Sequence, residues 1–498
     1  MKYIFLFVNP TSGGNRASIF TELGVNEIIF HKPHKCHLYI YNMLDGEEGK
    51  KPGFLHLSSV INSPRELENE DSPKNGTHSN GKKLENNSGG NNGGSPNESN
   101  NANLENFQGD KNNNRKALVS TERISKDSNC NYNSSGNSKS NGNSSYNAEN
   151  KIMTCNESNI ENKDIFVYLL VAGGDGTLNW VLKEVEFYDI NHNKFAVGVI
   201  PFGTGNDFAK AFGWKKINGI FTHTFLFNIL KKIVDQTFKS KIEKHDYWNI
   251  EIVLNDDGYF NKINSKTKKK ETLTENNETV RKLKLCMSNY FSIGIGSRIG
   301  RGFERHRKKS AFLNKLIYVL EGLKKVSFKR NIPVNLIIDK MVTGKNYDDV
   351  IFTTDNNDEY PSLKKAVSII CINIPSYASG NDIWNYTHKI GLKLPKNLTS
   401  DQKQVYEDLK KAQQSVGDGI LEFVIYQSGI DIGLEFTVKG RAYRVHQGLG
   451  PWKICFKEKL NSVYFQVDGE YYRKCNTPWE NNNVRSSDDV HACMSVYP

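Results

Sequence analysis

Three glycines and one aspartate occur together in the segment Gly173-Gly174-Asp175-Gly176-Thr177, a combination that can support phosphoryl chemistry. The apolar run 165–170 predicts a buried strand before it, and the apolar spacing of 178–185 predicts a helix after it. Backbone N–H groups in such a turn, together with the helix N-terminus, favour bound phosphate. Asp175 would repel a phosphate unless a divalent cation or a reacting hydroxyl lies between them. The segment therefore predicts metal-dependent phosphoryl transfer, and the alternative is a tight turn whose aspartate only caps the helix.

Two other apolar runs end in similar polar, glycine-rich turns. Residues 3–8 precede the NPTSGG segment at 9–14, and residues 195–201 precede the FGTGND segment at 202–207. In an open α/β sheet, the carboxyl ends of parallel strands meet at the edge where nucleotides bind. We therefore predict an N-terminal α/β domain with a parallel sheet that binds a nucleotide.

The second half of the chain has the pattern of a β-rich, β-sandwich-like domain. Predicted strands cover residues 247–253, 283–293, 333–338, 367–374, 420–426, 435–438, 452–456 and 462–467. The apolar spacing of 312–323 predicts one helix among them, and the polar stretches 255–282 and 346–358 are predicted to be loops. The domains are then 1–243 and 244–498. Residues 63–162 interrupt the first domain, and their Asn- and Ser-rich composition predicts a disordered insertion.

Composition restricts the possible partners of this 498-residue chain. Its net charge of +11 is compatible with attraction to anionic lipid, nucleotide or nucleic acid. No nucleic-acid-binding motif accompanies the charge, so no nucleic-acid partner is expected. No apolar run approaches the roughly 18 residues needed to span a bilayer. The eight cysteines form no CxxC pair, which favours reduced thiols and a cytoplasmic location.

Taken in order, the motifs resemble those of the diacylglycerol kinases. The segments NPTSGG, GGDGT and PFGTGNDFAK are similar to the catalytic domain of that family. Similarity to its accessory domain is carried by residues 289–296, 303–307, 314–318, 373–384, 418–422 and 466–470. The resemblance covers nearly everything outside the inserted stretches. Cys/His-rich lipid-sensing modules and EF-hand loops are not found in the sequence, so regulation through such modules is not expected.

The resemblance implies a lipid kinase that transfers the γ-phosphate of ATP to the free hydroxyl of 1,2-diacylglycerol, forming phosphatidate for lipid signalling and phospholipid metabolism. The implied cofactors are ATP and Mg²⁺. Asp175 and Asp207 correspond to the magnesium network of the family. The implied ATP contacts are Asn9, Ser12, Gly13, Gly14, Gly173, Gly174, Gly176, Thr177, Gly203, Thr204, Gly205 and Asn206.

A carboxylate must accept the hydroxyl proton during this transfer. The resemblance makes Glu470 the first candidate, with Asp468 and Asp175 as its rivals. The structural alternative for Asp468 and Glu470 is an ordinary Asp-Gly turn between two strands.

The acceptor hydroxyl of diacylglycerol lies at a membrane surface, so reversible peripheral association with anionic lipid is expected. The basic run consists of Arg298, Arg301, Arg305, Arg307, Lys308 and Lys309. It would form either a solvated face or a contact with anionic head groups. Two other functions stay open: a sphingoid-base or ceramide kinase, and a catalytically inactive lipid-binding scaffold.

Overall fold

A computed structural model gives the structure of most of the chain. It describes residues 2–63, 117–122, 166–217, 223–264, 267–308, 313, 317, 320–322, 324, 332–355, 358–457, 462–476 and 492–497. Met1–Ile61 and Arg115–Pro498 form one compact unit.

The first part of the chain builds a seven-stranded sheet. Its strands lie in the spatial order Glu27–Phe30, Cys36–Asn42, Lys2–Val8, Val167–Gly173, Phe195–Pro201, Ala117–Glu122 and Lys241–Asp246. The central strands Lys2–Val8, Val167–Gly173 and Phe195–Pro201 run parallel to one another. Every residue of the latter two strands is buried, as expected for a parallel sheet covered on both faces.

Helices connect these strands and cover the sheet. The α-helices are the four-residue Ser12–Asn15, Pro52–Asn62, Asp175–Phe187, Asp207–Ala211 and His223–Lys239, and 3₁₀ turns occur at Arg16–Phe20 and His192–Lys194. The helix Asp175–Phe187 buries Leu178, Val181, Leu182 and Val185, which are the apolar positions that predicted it. Because the strand Val167–Gly173 leads directly into this helix, the glycine-rich turn lies at the carboxyl edge of the sheet.

The second part of the chain contains two eight-stranded sheets. One has the order Lys270–Thr272, Gly258–Ile263, Glu470–Asn476, Ser462–Val467, Tyr290–Gly294, Ser368–Ile372, Ile420–Tyr426 and Tyr443–Leu449. The other has the order Lys282–Met287, Trp248–Val253, Cys493–Tyr497, Trp452–Phe456, Ile338–Thr343, Asp349–Thr353, Ser362–Leu363 and Leu392–Lys393. Thr274–Glu275 and Glu278–Thr279 form a separate small hairpin.

The two large sheets share one apolar core. Phe423 of the first sheet and Trp452 of the second lie with ring centroids 5.4 Å apart, and Trp452 lies 5.3 Å from Trp248. All three side chains are buried. This packing of sheet on sheet confirms the predicted β-sandwich-like architecture.

The second part also contains helices. They are Ile295–His306, Ser400–Lys411 and Gly429–Leu434, with a 3₁₀ turn at Val334–Leu336. Within the predicted helix 312–323, the described residues are helical, and the remainder lie outside the described part of the chain. No helix in the described residues is both long enough and apolar enough to cross a bilayer.

Strand prediction succeeded where apolar runs were short and sharply bounded. The strands Ile420–Tyr426, Trp452–Phe456 and Ser462–Val467 have the predicted limits. The predicted strand 283–293 is divided into two strands by a turn at Ser288-Asn289, and 255–282 and 346–358 contain strands as well as loops.

Two predicted strands were wrong. Residues 333–338 form mainly a 3₁₀ turn, and the strand begins only at Ile338. Residues 435–438 form a turn that follows the helix Gly429–Leu434. Ser428 caps that helix by accepting a hydrogen bond from the Asp431 N–H, so the segment starts as a helix despite its later alternating pattern.

Part of the stretch predicted to be disordered forms a strand. Ala117–Glu122 pairs in parallel with Lys241–Asp246, and Val119 pairs with Val197. In the sequence, the short apolar group Ala117-Leu118-Val119 is flanked by polar residues, and it forms the first half of the strand. The rest of the predicted insertion beyond Ser63 lies outside the described residues.

Candidate active site

Three loops meet at the carboxyl edge of the first sheet: the first loop is 9–16, the second loop is 173–177 and the third loop is 202–207. The Asn9 side-chain amide donates a hydrogen bond to Thr177 Oγ1 at 3.2 Å, which links the first loop to the second. The Phe202 N–H donates to the Gly173 carbonyl at 2.8 Å, which links the third loop to the second. The sequence prediction that these loops converge is confirmed by these contacts.

Glycines make the close packing of the loops possible. A Cβ atom added to Gly203 would lie 2.6 Å from the Cα of Gly174, so neither position has room for a side chain. In the first loop, Gly13 and Gly14 have φ values of +65° and +72°, which other residues rarely adopt. By contrast, a Cβ on Gly176 would contact nothing within 4 Å, because Gly176 faces open space.

Asp175 lies at the start of the helix Asp175–Phe187 and reaches across to the third loop. Its Oδ1 accepts a hydrogen bond from the Phe208 N–H at 2.9 Å, and its Oδ2 accepts one from the Asp207 N–H at 3.1 Å. Burial, followed by the negative charge of Asp207, raises the pKa of Asp175 to about 6. A carboxylate with this pKa can exchange a proton near neutral pH.

Asp207 is buried and connects the third loop to the second part of the chain. Its Oδ1 accepts three hydrogen bonds: from the Ser376 hydroxyl at 2.7 Å, the Ser379 N–H at 2.8 Å and the Gly380 N–H at 3.0 Å. Its Oδ2 accepts one from the Tyr290 hydroxyl at 3.2 Å. These bonds fix the third loop against the segment 373–384.

Asp468 lies at the turn between two strands of the second part, and its carboxylate is fully hydrogen-bonded. Oδ1 accepts from the N–H groups of Asn289 and Tyr290, at 2.9 and 3.0 Å. Oδ2 accepts from the Ser288 N–H at 2.7 Å and from the Asn179 amide at 2.9 Å. Because four donors occupy the two oxygens, Asp468 is positioned to hold the turn 288–290 against the helix that begins at Asp175.

Glu470 has a different environment from Asp468. Its side chain is half exposed, and Oε2 contacts Lys262 Nζ at 2.8 Å and accepts from the Tyr472 hydroxyl at 2.6 Å. Partial burial would raise its pKa, but the charge and hydrogen bond of Lys262 lower the pKa overall. Lys183 contributes to this lowering, and it lies two helical turns beyond Asp175.

The geometry around Gly205 fits a divalent cation. A Cβ on Gly205 would lie 3.2 Å from Asp175 Oδ2 and 3.3 Å from Asp207 Oδ2, so two carboxylate oxygens face a gap that only glycine leaves open. Nearby, the buried Asn206 Oδ1 accepts no hydrogen bond from the described residues. Those residues contain no group of three His, Cys, Asp or Glu side chains suited to a metal. Mg²⁺ commonly uses one or two carboxylates and takes its other oxygens from water and phosphates.

Sequence reasoning missed the residues that hold these carboxylates. Tyr290, Ser376 and Ser379 occur in the motifs that carry the resemblance, but their hydrogen bonds to Asp207 have no local pattern in the sequence. Asn179 does have one, because it lies four residues after Asp175 and therefore on the same helix face. Lys210, one turn after Asp207, also bonds to Ser379, at 2.5 Å to its carbonyl and 2.6 Å to its hydroxyl.

Comparison with known families matches both parts of this site. The diacylglycerol kinase catalytic domain matches residues 145–237, which include the second and third loops. The diacylglycerol kinase accessory domain matches residues 286–471, which include the segments that bind Asp207. Together the two matches cover more than half of the chain.

Curated relatives carry the same name. The chain is 28% identical over 309 residues to "Probable diacylglycerol kinase 3" of Caenorhabditis elegans, covering 61% of this chain and 34% of the relative. It is 25% identical over 334 residues to diacylglycerol kinase 4 of Arabidopsis thaliana, covering 61% and 62%. It is 26% identical over 312 residues to diacylglycerol kinase theta of Mus musculus, covering 61% and 27%. The chain therefore matches less than two thirds of the length of each of these relatives.

Among solved structures, a diacylglycerol kinase from Bacillus anthracis str. Sterne matches with 14% identity and a TM-score of 0.26, covering 66% of this chain and 72% of that one. The two family domains occur in the order that the sequence motifs predicted. This chain belongs to the diacylglycerol kinase family.

Proposed function

We propose that the protein transfers the γ-phosphate of ATP to the free hydroxyl of 1,2-diacylglycerol and forms phosphatidate. The observation that carries the proposal is the convergence of three glycine-rich loops on the Asp175 carboxylate, which accepts hydrogen bonds from the Asp207 and Phe208 N–H groups. Gly176 faces open space at the N-terminus of the helix Asp175–Phe187, which leaves room for a phosphate next to backbone N–H groups. Family membership supports the lipid hydroxyl as the acceptor.

Mg²⁺ is the proposed cation at the two carboxylate oxygens that face Gly205. In the proposal Asp175 and Asp207 hold it, directly or through water, and the bound ion neutralises charge on the phosphates. The segment 373–384 keeps Asp207 in position through Ser376, Ser379 and Gly380.

Asp175 is the proposed acceptor of the hydroxyl proton. Its pKa is raised to about 6 in the cation-free protein, so its carboxylate can accept a proton near neutral pH when the cation is held through water rather than directly. Asp468 is less suited because four donors already occupy its oxygens. Glu470, the first candidate from the sequence, has a lowered pKa and an ion pair with Lys262. The positive charge of Lys183 also lowers the pKa of Glu470, which makes its carboxylate a weaker base.

An exposed apolar patch beside the site is the proposed membrane contact. We define the patch as Tyr386, Ile430, Leu434, Phe436 and Val438, whose exposed fractions range from 38% to 63%. Lys439 donates a hydrogen bond to Asn381, within the segment that holds Asp207. Basic residues next to exposed apolar side chains favour an anionic membrane surface. The patch would therefore bring lipid close to the three loops.

The acceptor specificity can be tested directly. Labelled ATP is incubated with the protein, Mg²⁺ and mixed micelles that contain diacylglycerol, ceramide or a sphingoid base. The proposal predicts label in phosphatidate and little label in the other products. Preferential labelling of ceramide or the sphingoid base would show that this lipid, and not diacylglycerol, is the substrate. ATP turnover without lipid dependence would favour the scaffold alternative.

A further inference from the structure

A basic cavity of about 190 Å³ lies beside the helix Ile295–His306, and no residue of the three loops lines it. Five of its lining side chains carry a permanent positive charge: Lys270, Arg298, Arg301, Arg305 and Lys324. Glu321 is the one carboxylate among the lining residues, and His306 Nδ1 contacts it at 3.3 Å. The cavity therefore has a large excess of positive charge, and an anion is its natural ligand.

Arg301 is the most informative residue of the cavity. Its side chain is only 8% exposed, yet its buried Nε and Nη2 atoms have no hydrogen-bond partner among the described residues. Burial lowers the pKa of its guanidinium, and the nearby charge of Arg473 lowers it further. Burying a charged group without a partner is costly, and an anion in the cavity would supply the missing partner.

Neighbouring contacts hold the basic side chains in place. The Tyr464 ring lies close to two guanidinium groups, with its centroid 5.7 Å from that of Arg298 and 5.5 Å from that of Arg473. Glu321 packs against the helix, since a Cβ on Gly302 would lie 2.1 Å from its Oε2. These contacts pre-organise the cavity, which lowers the entropy cost of binding a ligand.

We propose that this cavity binds a phosphate group, with Arg301 as its central ligand. Arginine suits this role because its planar donors can bind two phosphate oxygens at once. Lys270, Arg305 and Lys324 would add charge around the bound group. The phosphate can belong to an anionic lipid head group or to a free phosphate compound, and the site does not depend on the proposed phosphoryl transfer.

The test measures binding by the full-length protein and needs no enzymatic activity. Binding of inorganic phosphate is measured by calorimetry. Co-sedimentation is measured with phosphatidylcholine vesicles that contain or lack phosphatidate. The variant Arg301→Gln should weaken at least one of these interactions tenfold or more, because it removes a charge-assisted hydrogen-bond donor. Arg281→Gln removes the same charge from an exposed position of the same sandwich and should leave binding unchanged.

The two ligand sources are separated by the two measurements. A loss in phosphatidate-vesicle binding alone identifies a lipid head group, and a loss in inorganic phosphate binding identifies free phosphate. Thermal stability keeps the test valid if Arg301→Gln perturbs folding. Without ligand the variant should melt no lower than the wild type, because it removes a buried charge whose Nε and Nη2 have no hydrogen-bond partner among the described residues. The milder rim variant Lys324→Gln should weaken the same interaction. Binding that is equal in the wild type and Arg301→Gln would overturn the assignment.

Discussion

Replacement of Asp468 separates a positioning role from a catalytic one. Its carboxylate accepts four hydrogen bonds, and Asp468→Asn would place an NH₂ group against two of the four donors. Each buried donor left without a partner costs roughly 1–3 kcal/mol. Burial raises the pKa of Asp468, so removing the buried charge offsets part of this loss. We therefore expect Asp468→Asn to lower the free energy of unfolding by about 2–4 kcal/mol.

Glu470→Gln is the matched control, because it makes the same chemical change two residues away. Glu470 is half exposed and its ion pair with Lys262 is open to solvent, so the expected loss is about 0–1 kcal/mol. Urea unfolding of the wild type and both variants at pH 7 measures the difference. Refutation would come from an Asp468→Asn protein that is as stable as the wild type but inactive, since that result would make Asp468 a catalytic carboxylate.

Three further predictions concern the pH dependence, the loops and the membrane contact. The pKa of Asp175 is raised from 3.8 to about 6, so the folded state binds more protons than the unfolded state between about pH 4 and 6, and stability falls as pH rises through this window. Asp175→Asn should therefore be more stable than the wild type at pH 7.5 without Mg²⁺, by at most about 3 kcal/mol. Gly203→Ala would drive a Cβ into the Gly174 backbone and should weaken ATP binding at least tenfold, whereas Gly433→Ala, where a Cβ contacts nothing, should not. Phe436→Ser should reduce co-sedimentation with anionic vesicles several-fold, while Leu336→Ser, at a more exposed position outside the patch, should leave it unchanged.

Each of these predictions has a clear contrary result. Unfolding curves with the same pH dependence in the wild type and Asp175→Asn would show that the raised pKa of Asp175 does not cause the pH dependence of stability. Equal ATP binding by the two glycine variants, measured by calorimetry, would show that the close contact between Gly203 and Gly174 is not needed for nucleotide binding. Equal vesicle binding by the two serine variants would move the membrane contact away from the patch.

The sequence predicted the parts of the site that depend on local pattern. Apolar runs followed by glycines located the three loops, and parallel strands bring such loops to one edge without any further information. The helix Asp175–Phe187 was also predicted, because its buried positions repeat with helical spacing. Family resemblance then ordered the motifs correctly, as the two domain matches confirm.

Long-range hydrogen bonds could not be predicted from the sequence. The bond from Ser376 to Asp207 joins residues 169 positions apart, and the bond from Asn179 to Asp468 spans 289 positions. Such pairs are determined by how the sheets pack and leave no periodic signal. The predicted strand 435–438 was wrong for a different, local reason: the helix that Ser428 caps precedes this segment and outweighs its alternating pattern.

The central role of Asp175 is tested most directly by transfer of labelled γ-phosphate from ATP to diacylglycerol in mixed micelles with Mg²⁺. Wild type, Asp175→Asn and the exposed control Asp401→Asn are compared at pH 7.5. We predict label in phosphatidate with the wild type and Asp401→Asn, and a loss of at least a hundredfold with Asp175→Asn, the scale of general-base catalysis. Undiminished transfer by a correctly folded Asp175→Asn protein would contradict the account.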